Sequence, residues 1–540
     1  MGCEPLSLPF AFLLSIENMG STLCLFMFMR FLLLLSSFYP VVADSSSFMQ
    51  QPLCHDSESS ALLQFKQSFL IDGHASEGEG SDCCSWDGVE CDRETGHVIG
   101  LHLASSCLYG SINSSNTLFS LVHLRRLDLS DNDFNYSEIP FSVGQLLRLR
   151  SLNLSDSAFA AQIPSELLAL SNLLANLSSL TTLFLRECGL HGEFPMNIFQ
   201  LPSLKFLSLP TSIGRLGSLT ELDISSCNFT GLVPSPLGHL PQLSYLDLSN
   251  NSFSGQIPSS MANLTQLTFL VLSFNNFSIP SWLMNLTQLT VLELGTNNLE
   301  GGIPMELNML LKLKNLTSFQ LSGNSLSLLG YTRTNVTLPK FKLLGLDSCN
   351  LTEFPDFLRN QDELVVLSLA NNKIHGPLPI PPPSTIEYYS VSRNKLIGEI
   401  SPLICNVSSL MLLDLSSNNL SGRIPQCLDN LSKSLSVLDL GSNSLDGPFP
   451  QTCTVTNNLR VVDLDIANDL RGMQRFFEKI PDILIAIDFS GNNFKGQIPT
   501  STGNLKGLHL LNLGDNNLTG HIPSSLGNLP QLESLDLSPN

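Results

Sequence analysis

Cysteine is the residue type best able to do chemistry in this chain of 540 residues. Four of its 13 cysteines, Cys54, Cys83, Cys84 and Cys91, crowd into one short stretch. Thiols grouped in this way either hold a metal or pair as disulfides. No histidine–cysteine spacing there matches a zinc site, so no metal is expected. Histidines such as His97, His191 and His509 are scattered, and no Ser-His-Asp or paired-carboxylate constellation can be traced. The Gly-rich loop, Val-Ala-Ile-Lys-like strand and His-Arg-Asp loop of phosphoryl transfer do not occur. Neither an enzyme nor a cofactor is therefore expected. A formal charge of −20, with no basic patch or stripe, excludes nucleic acid as a partner. Recognition is the chemistry that remains.

Two residue sets could carry it. Phe184, Phe206, Tyr245, Phe269 and Phe274 recur at positions expected to point outward from short strands. Exposed aromatics on a rigid sheet suit peptide or protein recognition, because a few anchors carry most binding energy. Asp128, Asp247, Asp414, Asp439 and Asp536 recur in Leu-Asp-Leu triplets and would form a row, suited to a cation or a basic peptide. The alternative is that aspartate is simply common at this strand position.

The elements that position these residues come from one pattern, written about nineteen times. Leu121-x-x-Leu124-x-x-Leu127-x-Leu129-x-x-Asn132 returns from Leu240 to Asn251 and again from Leu505 to Asn516. The period lies in the range of 20–29 residues that marks the leucine-rich repeat. Leu246-Asp247-Leu248 alternates with period two, so it predicts a short strand with its leucines inward. A single unit cannot bury those leucines, but stacked units can, in one long parallel sheet. Each asparagine sits where the chain turns inward, and its amide can satisfy backbone groups buried there. Cys188, Cys227 and Cys349 take the same position and are read as buried structural thiols.

Residues 1–43 read as an export signal: Met29-Arg30, the apolar run Phe31 to Phe38, then Val41-Val42-Ala43 before Asp44. Translation could start at Met19 or Met29, since residues 1–28 carry Glu4 and Glu17 but no basic residue. Export places the chain in an oxidising compartment, where disulfides form. Cys405 and Cys427, near corresponding points of adjacent repeats, are also assigned to disulfide bonding. Sequons at Asn113, Asn135, Asn153, Asn176, Asn228, Asn263, Asn285, Asn315, Asn335, Asn406 and Asn430 are glycan acceptors in such a setting, with some rather than all expected to be used.

The second half of each unit narrows the class. Gly255-Gln-Ile-Pro258, Gly422-Arg-Ile-Pro425, Gly496-Gln-Ile-Pro499 and Gly520-His-Ile-Pro523 resemble the repeat of plant extracellular leucine-rich-repeat proteins. "DSESSALLQFKQSFL" puts Leu62, Phe65 and Phe69 on one helical face, and "CCSWDGVEC" follows it. Together they resemble the N-terminal cap of that group. The resemblance implies pairing of Cys54 with Cys83 and of Cys84 with Cys91, and a packing role for Trp86.

Over essentially everything after the signal, the chain is most similar to plant receptor-like proteins, including those that confer resistance to fungal wilt and leaf-mould pathogens. The resemblance implies an α/β solenoid, a plant-type superhelix with its parallel sheet on the concave face and a disulfide-stapled cap. It also implies an extracellular ligand, of pathogen or endogenous origin, in defence or development. Membrane-bound co-receptor kinases are the implied signalling partners. The expected organisation is signal 1–43, cap 44–94, repeats 95–466, an island remnant 467–480 and repeats 481–540.

Three departures stand out. The unit beginning at Leu201 runs into the next after only 15 residues, at Leu216. "DIANDLRGMQRFF" replaces the usual loop after Val462-Asp-Leu464. The last unit stops on Asn540, so a C-terminal truncation, with a membrane span beyond it, is the expectation. The alternatives are a secreted binder of the polygalacturonase-inhibitor kind and a degenerate receptor fragment.

Overall fold

The computed structural model describes residues 53–540 apart from 72–81, 160, 163–176, 178, 194–217, 279, 298–309, 311, 325–337, 379–384, 426–436, 449–484 and 505–507. The signal with its two alternative starts, Phe206, Cys427, the sequons at Asn176, Asn335 and Asn430, and the island remnant lie outside the described residues.

The chain is a leucine-rich-repeat solenoid, opened by a cap. The cap helix Asp56–Gln67 carries Asp56 and Glu58 in its first turn, where the positive end of the helix dipole favours them. It buries Ala61, Leu62 and Phe65, while Phe69 is buried just beyond the helix rather than on it. Lys66 and Phe65 carbonyls are closed off by the Ser68 turn, so the helix ends two residues before Phe69. The strand Val89–Cys91 then pairs antiparallel with Val98–His102 and joins the cap to the first repeat.

From Val98–His102 a parallel ladder runs to Ser534–Asp536, with strands in register Leu to Leu: Leu101 beside Leu127, Leu127 beside Leu152, Leu246 beside Leu270. No pairing joins the two ends of this ladder among the described residues. Two steps pass over a whole leucine unit. Thr182–Phe184 pairs directly with Glu221–Asp223, and Val437–Asp439 pairs directly with Ile485–Asp488. These are the two places where the sequence shortens or replaces a unit, at 201 and at 456.

Packing follows from the alternation. Leu246, Leu270 and Leu292 are fully buried, and so are the unit-opening leucines Leu121, Leu146, Leu177, Leu264, Leu286 and Leu313. Behind the leucines, Phe134 and Phe159 of adjacent units are buried and stacked at 4.9 Å, and Phe229, Phe253 and Phe277 are buried one repeat apart. Phe253 faces the rings of Phe229 and Phe277 in the units on either side, each at 6.2 Å. The backbone beside this spine forms further parallel ladders, including Phe229–Gly231, Ser252–Gln256 and Asn276–Ser278. The Gly of Gly-x-Ile-Pro is required there: Gly255 adopts φ +78°, a conformation that L side chains avoid. Its Pro258 is the last extended residue before the 3-10 turn Ser259–Asn263 on the outer side.

The asparagine ladder holds the turns. Asn251 Nδ2 donates to the carbonyls of Ile224, Leu248 and Ser249 at 2.8, 3.0 and 3.1 Å. Its Oδ1 accepts from the backbone N–H groups of Phe229 and Cys227. Asn251 thus ties one coil to the coil before it. Cys227 does part of the same work, its thiol donating to the Leu185 carbonyl.

Candidate functional site

The strand triplets present two outward rows. In the first, Thr182, Glu221, Tyr245, Phe269 and Val291 stand side by side. In the second stand Phe184, Asp223, Asp247, Val271 and Glu293. Because Leu183, Leu222, Leu246, Leu270 and Leu292 turn inward between them, both rows face away from the core. Tyr245 and Phe269 stack at 4.3 Å with their planes 12° apart. Phe184 meets Tyr245 edge-on at 6.4 Å, although it sits in the other row two strands away. All three rings are half-buried.

Phe274 does not belong with them. The sequence pattern put it on the outward strand face, but the strand ends at Val271. Phe274 lies in the following turn at φ +55°, with its N–H bonded to the Gly295 carbonyl. A turn residue in the left-handed region is aimed by the turn, not by the strand's alternation.

The aspartates have a structural task first. Asp247 Oδ1 accepts from Ser249 N at 2.8 Å and Ser249 Oγ at 2.6 Å. Asp223 does the same with Ser225. The bonds recur at Asp128 with Ser130, at Asp414 with Ser416, at Asp488 with Ser490 and at Asp536 with Ser538. Aspartate is therefore common at this position because it closes the turn after the strand. Asp439 accepts from Gly441 N, with the Ser416 hydroxyl of the preceding unit as a further partner.

Around the aromatic stack the acids nevertheless carry an unmet electrostatic cost. Burial pushes the Asp247 carboxyl up to about 7, and the neighbouring Asp223 adds to the shift. Burial likewise pushes Glu293 up to about 7. Asp223 is raised for the same reason, with Arg186 pulling the other way. Arg186 itself is engaged with Glu187 at 3.1 Å. Among the described residues, neither Asp247 nor Glu293 forms an ion pair. Two acids facing one side of an aromatic pair, without a cation of their own, can accept a guanidinium or ammonium whose stem lies on the rings. Asp223 and Glu293 were missed in the sequence because they occur in Leu-Asp-Ile and Leu-Glu-Leu rather than Leu-Asp-Leu, yet they hold the same register.

The cap cysteines are spent: Cys54 is joined to Cys83 and Cys84 to Cys91. Cys405 is also disulfide-bonded. Of the sequon asparagines, Asn113, Asn135, Asn228, Asn263, Asn285, Asn315 and Asn406 are exposed. Asn153 instead lies on the sheet, half-buried, in the row of Phe184, and accepts from Ser155 N. No helix among the described residues is long and apolar enough to cross a membrane.

Comparison with known proteins matches the family models "Leucine rich repeat N-terminal domain" over residues 55–92 and "Leucine rich repeat" over 217–277, with shorter repeat matches at 409–431 and 507–529. Receptor-like protein 6 of Arabidopsis thaliana is 27% identical, over 72% of this chain and 62% of its own length. Receptor-like protein EIX1 of Solanum lycopersicum is 39% identical over 34% of this chain and 20% of its own. The chain therefore spans about three fifths of the first relative's length and a smaller share of the second. Among solved structures, the plant peptide hormone receptor RGFR1 in complex with RGF2 superposes with a TM-score of 0.51 at 27% identity, covering 84% of this chain and 72% of that one.

Proposed function

The chain is a plant leucine-rich-repeat receptor-like protein, and we propose that its concave sheet is the extracellular surface on which a peptide or protein ligand is captured. Chains of this kind bind rather than catalyse. The observation that carries the reading is the aromatic cluster of Tyr245, Phe269 and Phe184, set between Asp223, Asp247 and Glu293. Rings held by rigid strands lose little freedom on binding, so they make efficient anchors. The two acids without an ion pair favour a ligand segment that carries lysine or arginine beside an apolar residue. The RGFR1 structure, which holds a peptide hormone, supports a peptide as the ligand class.

In the whole receptor, placed at the plasma membrane like its relatives, the captured ligand would signal through partner kinases. Exposed sequon asparagines would carry glycans away from the rings. Panning a random peptide display library against the purified chain tests the site. Enriched sequences should be basic and apolar, and should bind several-fold or more weakly to a folded Tyr245→Ala/Phe269→Ala variant. Equal binding to that variant would remove the concave cluster as the site.

A further inference from the structure

A second cluster lies at the junction of the cap and the repeats. Glu58, in the first turn of the cap helix, is buried at 8% exposure, which is unusual for a glutamate. Its Oε2 accepts from Val98 N at 2.9 Å, and its Oε1 stands 3.2 Å from His97 Nδ1. His97 is walled on both sides. The His55 ring lies flat on it at 4.0 Å and 9°, and the His123 ring meets it edge-on at 3.7 Å. His55 Nε2 is engaged with the Thr95 carbonyl at 3.0 Å, so His55 borders the cluster without joining it.

One ligand atom from each of Glu58, His97 and His123 lies within 4.8 Å of the other two. Glu58 comes from the helix, His97 from the entry to the first repeat strand and His123 from the following unit. Two imidazoles and a carboxylate are the donor set of open zinc sites, with a fourth position left for water. Ligands bound at about 2.0–2.2 Å in a tetrahedron stand roughly 3.3–3.6 Å apart, so closing this set asks for about an ångström of side-chain movement. With Oε2 held by the Val98 N–H, Oε1 is the oxygen left to face an ion.

We propose that Glu58, His97 and His123 form a binding site for a divalent transition-metal ion, zinc by donor type, that ties the cap to the first two repeats. The cap cysteines take no part, since disulfides consume all four sulfurs. Three ligands from three separate elements make the ion a cross-link, and any ion bound only by the folded arrangement stabilises it.

The test uses the full chain without a histidine tag, stripped with a chelator and titrated with zinc chloride in a calorimeter. One equivalent should bind with a dissociation constant in the micromolar range or below, the melting temperature should rise, and chelator should reverse both. Cobalt(II) should give the visible bands of a low-coordinate nitrogen–oxygen site. His123→Gln should weaken binding at least tenfold while the zinc-free melting temperature stays near that of the parent. Glu58→Gln should weaken it similarly; if loss of the carboxylate unfolds the cap, His123→Gln decides alone. No saturable uptake, or uptake unchanged in His123→Gln, overturns the proposal.

Discussion

Tyr245 and Phe269 occupy the same register on neighbouring strands and lie face to face, 4.3 Å between ring centres. Offset aromatic pairs contribute about 0.5–1.5 kcal/mol beyond the area they bury. Tyr245→Leu keeps apolar area and removes the ring, so it should lower the unfolding free energy read from urea titration by an amount in that range, with a lower midpoint. An unchanged midpoint would mean that the stack is kept for ligands alone.

Acid titration offers a second prediction. Asp247 and Glu293 have carboxyl groups raised to about 7, burial being the first cause in each. A raised carboxyl favours the folded chain below its unfolded value, near 4, and that contribution is lost as pH climbs from about 4 to about 7. Asp247→Asn/Glu293→Gln should therefore flatten the fall of melting temperature over this window and leave the variant relatively more stable at pH 8. Asparagine at 247 can still accept from Ser249, which keeps the turn. Parallel melting curves for parent and variant across the window would refute the assignment.

Asn372 is the cleanest test of the ladder. Its Nδ2 donates to the Leu346, Leu369 and Ala370 carbonyls, and its Oδ1 accepts from Cys349 N and Leu351 N. A buried backbone group left unpaired costs about 1–3 kcal/mol, so Asn372→Leu should cost several kcal/mol in all. Secreted yield and melting temperature should both drop, while Lys373→Ala, exposed one residue on, changes neither.

The ladder cysteines should be chemically silent. Cys227 and Cys349 are buried, and the Cys349 thiol is pushed up to about 12 by burial and by Asp347. The Cys227 thiol is raised as well, first by its hydrogen bond with Cys188. Iodoacetamide at pH 8 should leave both unlabelled in the folded chain and label both in denaturant, read by mass spectrometry. Native labelling within minutes would show that these coils open.

Much of this architecture can be read from local pattern. Leu246-Asp247-Leu248 states its strand, Asn251 its turn and Gly255-Gln-Ile-Pro258 its outer bend, because each depends on neighbours one coil away and the coils repeat. Phe274 misleads for the same reason: three residues past Val271 the chain has left the strand, and a positive φ replaces alternation. The turn-closing role of Asp247 was legible in principle, since Ser249 follows two residues later in unit after unit. Glu58, His97 and His123 were not, because they meet through the docking of a helix onto repeats, and no periodic spacing records that contact.

The direct pairing of Thr182–Phe184 with Glu221–Asp223, and of Val437–Asp439 with Ile485–Asp488, has a consequence for inheritance. Register between strands is set by the leucines at their centres and is blind to the length of chain that separates them. Copies of a unit can therefore be lost, shortened or rewritten by recombination while the rows on either side close up at their usual spacing. Such an event would move side chains into new adjacency. New combinations of surface residues can arise in this way in one generation, without a single point substitution in the strands that display them.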